Sequence, residues 1–209
     1  WFKDGKSNLS DAKSLEGLSV MYDLVQDGSA PSPGTVSSTG DSEDRLFVIG
    51  KVAMYPSGRW VVPSFRTECD FEWTAVEMPK GTTRTCPFIC SMVCIADSSK
   101  NKDIAANLLS YQMSDEGLAT VMEQGLSLPV YKDLMSNDTY VSTPPDADAF
   151  INSAAYLGNK SQIEASLTGQ WSEYSSIISA GLSDAFEGKT TIEEAVKTID
   201  EQANTTVFK

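Results

Sequence analysis

Apolar residues recur at three- and four-residue steps in several stretches of this chain, and at two-residue steps or in short runs in others. Leu15, Leu18, Tyr22 and Val25 form a helical stripe. Ser10-Asp11 precedes it as a cap, and Gly28 follows it as a stop. Ser29 to Asp44 is rich in Ser, Thr, Pro, Gly and Asp and reads as a loop. Phe47 to Met54 predicts a strand, or a helix end followed by a strand, since periodicity does not separate these. Its exit is the turn Pro56-Ser57-Gly58, which delivers Arg59 and Trp60 together.

Phe71 to Pro79 alternates as a strand, and Phe88 to Ala96 is the run expected of a strand buried on both faces. Ile104, Leu108 and Tyr111 predict a helix ending near Met113. Ser114 begins another through Leu118, Val121 and Met122, closed by Gly125. A turn around Pro129 and a Pro-containing linker from Ser136 to Asp148 lead to a modest helix through Phe150, Ile151 and Tyr156. Trp171, Tyr174, Ile177, Ile178, Leu182, Ala185 and Phe186 make a strong stripe ended by Gly188. Thr191 and Glu194 are spaced as a capping box for a last helix through Ile192, Ala195, Val196, Ile199 and Ala203. The order is that of an α/β protein with helices dominant towards its C-terminal end.

Charge and composition narrow the function classes. With Lys and Arg numbering 16 against 29 Asp and Glu, the net charge of -13 repels phosphate backbones and anionic lipid, so no nucleic-acid or membrane-surface partner is expected. The absence of His removes Ser-His-Asp and Cys-His catalysis, His-bound metal and haem, and the near-neutral proton shuttle. These features point to a binding protein with no cofactor, no metal and no catalytic residues. Cys69, Cys86, Cys90 and Cys94 match neither a CxxC pair nor a zinc ribbon. Cys90 and Cys94 share parity as small core residues, while Cys69 and Cys86 flank a strand and are candidates for a disulfide in an exported protein. The glycosylation-type sequons at Asn8, Asn137, Asn159 and Asn204 are read as chance. The chain opens at Trp1-Phe2-Lys3 without Met, as a processed or excised chain would.

Several pieces occur in a telling order. They are Phe47-x-x-Gly50-Lys51-x-Ala53-Met54-x-x-x-Gly58-x-Trp60, Met78-Pro79-Lys80-Gly81, Ser99-Lys100-Asn101-Lys102-x-x-Ala105 and Ser114-x-Glu116-Gly117. Gly125-x-x-x-Pro129 and Phe186-x-Gly188-Lys189-Thr190-Thr191-Ile192-Glu193-Glu194-Ala195 complete the series. Together they cover most of the chain. They resemble the C-terminal portion of bacterial extracellular solute-binding proteins that serve sugar ABC importers, the maltose-binding-protein type. The resemblance implies the C-terminal lobe of a two-lobed periplasmic-binding-protein-like α/β fold, helix-rich, with the N-terminal lobe largely missing. It assigns 1–90 and 139–209 to the C-terminal lobe and 91–138 to a crossover segment that packs on the N-terminal lobe. The helices at 103–124 would then expose apolar faces, offering a surface for self-association through 91–138.

The function implied is capture of a carbohydrate or other polar small solute in an interlobe cleft, for delivery to the membrane subunits of an ABC importer. The setting implied is extracellular: a cell-surface lipoprotein or a periplasmic protein. Sugars present C–H faces and rings of hydroxyls, which call for aromatic platforms with planar donors. Trp60 matches the family's stacking Trp. Ser57, Gly58 and Arg59 share its turn, and Arg59 has a fork of donors for hydroxyls or a carboxylate. Trp171 and Tyr174 open the long helix where the family places cleft aromatics, with Tyr174 also on the apolar stripe. Ser91 stands where the family's chain crosses the cleft. One alternative is an exported glycoside hydrolase using two carboxylates, although nothing in the spacing of Asp70, Glu72 or Glu77 points to such a pair. Another is an adhesive or structural domain, favoured if Trp60 is buried by its own chain.

Overall fold

The computed structural model describes residues 1–209 except Asp41, Phe88, Cys90, 129–147 and Asn159. The expected turn at Pro129, the linker that follows it, the core reading of Cys90 and the sequons at Asn137 and Asn159 fall there, outside the described residues. The chain divides into two compact units. One comprises Trp1–Leu46 with Asn159–Lys209, and the other Phe47–Gly158. Both boundaries expected from the family pattern, near 90 and 138, fall within the second unit.

The first unit is built on α9 (Trp171–Phe186) and α10 (Ile192–Thr206), joined by a short connection. Their pairing is antiparallel: Tyr174 shares a core with Ala203, Val207 and Phe208, while Ala185 at the far end meets Ile192 and Ala195. The two helices approach closely because position 181 is Gly; a Cβ there would lie 2.5 Å from Cγ1 and 2.7 Å from Cδ1 of Ile199. α1 (Ala12–Gln26) packs Leu15 and Leu18 onto Val196, Ile199 and Leu182. The caps are those that the sequence calls for. Asp11 accepts from the Lys13 amide at 3.1 Å and Thr191 from the Glu194 amide at 3.2 Å. Gly28 and Gly188 take positive φ at the two helix ends. A small antiparallel ribbon, β1 (Phe2–Lys3) with β2 (Lys6–Ser7), lays Phe2 against Tyr174 and Phe208. α8 (Lys160–Leu167) closes this core with Ala165.

A buried polar knot ties the ribbon to α10. Asp200 accepts from Ser7 Oγ at 2.6 Å and from the amides of Leu9 and Ser10, each at 2.8 Å. Asn204 both accepts from the Ser7 amide and donates to the Ser7 carbonyl. Carboxylate and carboxamide thus satisfy a non-helical stretch that would otherwise bury unpaired amides.

The segment read as loop after Ser29 contains a helix, α2 (Pro33–Thr39). Ser32 caps it, Pro33 occupies its first turn, and Gly40 ends it at φ 68°. The polar composition concealed an ordinary cap–Pro–Gly grammar. α3 (Glu43–Val48) carries the helix-end alternative offered for Phe47, and no strand follows it.

In the second unit the core is aromatic: Phe47 and Val48 from α3 pack with Phe65 of α4 (Val62–Glu68). The Phe47 and Phe65 rings stack at 4.9 Å, and Trp73 meets Phe65 edge-on at 5.6 Å. α5 (Lys102–Gln112), α6 (Asp115–Gln124) and the short α7 (Asp148–Asn152) are the other α-helices among the described residues of this unit.

The strands predicted over 71–79 and 88–96 are not formed by the described residues. Val76 is 80% exposed and Met92 84%, and Cys94 is also exposed rather than in a core. Hydrophobic alternation makes a segment fit for a sheet, but a strand exists only where a second backbone supplies its hydrogen bonds. The bridge observed here is an isolated parallel contact between Cys86 and Leu157, with Cys86 N–H donating to Tyr156 O at 2.8 Å and Gly158 N–H to Cys86 O at 3.0 Å. Cys69 and Cys86 are free thiols, so the disulfide offered as a candidate is not made. The helix stripe of α5 forms as expected and is outward-facing: Ile104 is 70% exposed, and Leu108 and Tyr111 are also exposed.

Candidate functional site

The turn that carries Trp60 is held from both sides. Before it, Tyr55 joins the aromatic core, 6.2 Å from the Phe65 ring. Trp60 itself lies in a 3-10 turn (Arg59–Val61) that runs directly into α4, whose first residue Val62 is fully buried. Residues 59 to 62 alternate in a way that suits this geometry. Arg59 and Val62 point inward, three residues apart on one face of the turn, and Trp60 points out.

Trp60 is 50% exposed. Its six-membered ring is seated over Gly58, so that a Cβ at position 58 would overlap Cζ3, Cη2 and Cε3 of the indole. The backbone of Gly58 is extended, at φ -110° and ψ 177°. The turn therefore presents a flat apolar surface whose position follows from a buried framework.

Arg59 is not the solvated surface charge that an exposed turn suggests. It is 5% exposed, and its guanidinium carbon lies 5.2 Å from the centroid of the Phe150 ring. A delocalised, weakly hydrated guanidinium tolerates such a place, and stacking on an aromatic face contributes about 0.5–2 kcal/mol. Phe150 comes from α7, some ninety residues along the chain, and nothing in the local sequence could have paired it with Arg59.

The other expected site residues fall elsewhere. Ser57 is exposed on the turn beside Gly58, and Ser91 is exposed in a stretch without regular structure. Trp171 belongs to the first unit, half-buried against Trp1 at 5.8 Å and Tyr174 at 6.2 Å. Tyr174 is no cleft aromatic: it is fully buried in that unit's core and lines no surface. Its hydroxyl sits 2.7 Å from Ser7 Oγ, and burial pushes its pKa up to about 12. The apolar stripe of α9 decided its direction. Ser57 to Trp60 are thus brought together in one unit, and Tyr174 and Trp171 are neighbours in the other.

What the turn exposes is apolar ring surface, with the Arg59 charge held inside. Of the carboxylates considered for hydrolysis, Asp70 and Glu72 are exposed, whereas Glu77 is ion-paired with Arg84. Arg84 in turn lies 5.4 Å from the Tyr156 ring centroid. A glycosidase needs one acid desolvated and available to the leaving group, and Glu77 is instead engaged by Arg84. Among the described residues no cluster of Cys, Asp and Glu could hold a metal ion. No helix among them is long and apolar enough to cross a membrane.

Comparison with known proteins gives a consistent picture. Over its whole length the chain matches an ABC substrate-binding protein of Listeria monocytogenes, solved in complex with cycloalternan, with a TM-score of 0.80 at 22% identity. It covers 53% of that chain. At this identity the likeness speaks for the fold: the helix-rich portion of a periplasmic-binding-protein fold. A protein of Brucella abortus (strain 2308), described only in general terms as a binding protein, is 27% identical over 143 residues. So is a protein of the same description from Brucella suis biovar 1 (strain 1330). Each match covers 67% of this chain, yet only 34% of the relative's length. The chain thus spans about a third of the curated relatives that it matches. The sequence profile described as bacterial extracellular solute-binding protein fits residues 2–148, more than half of the chain. By that match the chain belongs to the bacterial extracellular solute-binding proteins.

Proposed function

We propose that this chain is part of the extracellular solute receptor of an ABC importer, that its solute is a carbohydrate, and that Trp60 is a stacking platform for a sugar ring. One observation carries the ligand assignment: a half-exposed indole fixed on a turn with buried anchors on both sides. Rigid aromatic surface held partly in solvent costs free energy unless a ligand covers it, and a pyranose offers a matching apolar face. Exposure of Trp60 weighs against the purely structural alternative, which needs that ring buried.

Two further facts support this reading: family membership, and a fold likeness to a protein solved with cycloalternan. Ser57 supplies a hydroxyl beside the platform, and Trp171 and Ser91 are secondary candidates for ligand contact. Delivery to importer membrane subunits, and residence at the cell surface as a lipoprotein or in the periplasm, follow from the family. The assignment of 91–138 as a crossover segment is part of the same proposal.

The test is isothermal titration of the full chain with cycloalternan, a panel of neutral oligosaccharides and a panel of polar non-carbohydrate solutes, repeated for Trp60→Ala. Removing a stacking aromatic at a binding hot spot costs about 2 kcal/mol, or roughly thirtyfold in Kd. A sugar bound equally well by the variant would refute Trp60 as the platform, and binding of a non-carbohydrate solute alone would refute the ligand class.

A further inference from the structure

Gly58 has no backbone reason to be glycine. Gly50 and Gly40 adopt positive φ, where other residues are strained. Gly58, at φ -110° and ψ 177°, sits in the extended region open to any residue. What it lacks room for is a side chain, because the six-membered ring of Trp60 already occupies the space of its Cβ. A rigid ring cannot yield locally at three atoms. It must turn as a whole about its two side-chain torsions. The backbone of Trp60 cannot move instead, because Arg59 before it and Val62 after it are buried.

We propose that Gly58 is the positioning residue of the Trp60 platform: the missing Cβ sets the tilt at which the indole is presented to ligand. This rests on the reading of Trp60 as the ligand platform, but assigns Gly58 a role through the ring and not by touching solute. Contact with a sugar face depends on ring orientation within about 10–20°, so a ring rolled off Gly58 presents a different surface even though it stays exposed. The Gly-x-Trp spacing is then a mechanical unit, a seat and the plate that lies on it.

Two measurements on the full chain test this, and the first needs no ligand. In the wild type, one Hα of Gly58 lies beneath the indole and is shifted upfield of its partner by the ring current. The difference collapses in Trp60→Ala. A Gly58 Hα pair that is nearly degenerate, or unaffected by Trp60→Ala, overturns the proposal.

The second measurement uses Gly58→Ala. Of the four tryptophan resonances of the 5-fluorotryptophan-labelled protein, the line assigned to Trp60 should move, while the thermal midpoint holds because alanine fits this backbone. Affinity for the sugar that binds best in the panel should fall roughly tenfold, the worth of an aromatic stacking contact. In a Trp60→Ala background the same substitution should change affinity no further. An unmoved Trp60 line, or the same loss with and without Trp60, overturns the positioning role. Should Trp60→Ala itself leave affinity unchanged, the platform reading falls and the positioning role with it, while the Hα result still reports whether the ring sits on its seat.

Discussion

Asp200→Ala offers a sharp test of how the first unit is held together. The carboxylate accepts three hydrogen bonds: from Ser7 Oγ at 2.6 Å, and from the Leu9 and Ser10 amides at 2.8 Å each. Their fates after truncation differ. Ser10 is exposed and its amide rehydrates. Ser7 can turn its proton to the Tyr174 hydroxyl, 2.7 Å away. Leu9 is buried, so its amide is left without a partner. An orphaned buried donor costs about 1–3 kcal/mol, and the loss of the Ser7 bond adds about 1 kcal/mol. Part of this is offset because a buried charge no longer needs desolvating. The gross cost is about 2–4 kcal/mol and the net after that offset about 1–3 kcal/mol, against about 1 kcal/mol or less for Ser7→Ala, which leaves the carboxylate two of its donors. Urea unfolding followed by tryptophan emission reports on this unit through Trp1 and Trp171, which both pack against Tyr174, with Trp60 and Trp73 replaced by Phe to silence the other unit. A loss below about 1 kcal/mol for Asp200→Ala, or equal losses for the two variants, would refute the accounting.

Two further outcomes are expected. The Tyr174 phenol, raised to about 12 mainly by burial, keeps its proton in the folded state while the unfolded chain loses it near 10, so stability falls as pH rises from about 10 towards 12. Denaturation across that window should show the decline, and Tyr174→Phe should flatten it. Gly181→Ala improves helix propensity by about 1 kcal/mol but forces α9 away from Ile199, and overpacking of about 1–3 kcal/mol should win. A thermal midpoint above wild type would count against the close helix approach.

Local grammar in the sequence determined the helices and their ends. The stripes at Leu15 to Val25 and Trp171 to Phe186, the Thr191–Glu194 box and the glycines at 28, 125 and 188 each form as read, because caps and 3.6-residue periodicity act within a few residues. The motif order likewise sufficed for the family. Local rules also contained α2, through Ser32-Pro33 and Gly40, though its polar composition hid it. Tertiary structure alone decided matters that depend on distant partners. Whether the apolar runs at 71–79 and 88–96 become strands depends on another backbone, and no ladder forms along them among the described residues. Whether Arg59 is wet or buried depends on Phe150, some ninety residues along the chain. The seat beneath Trp60 is an intermediate case. The spacing from Gly58 to Trp60 is written in the sequence, but only the fold shows the ring occupying the space a side chain would need. Propensity is a property of neighbours along the chain, whereas burial and orientation belong to neighbours in space.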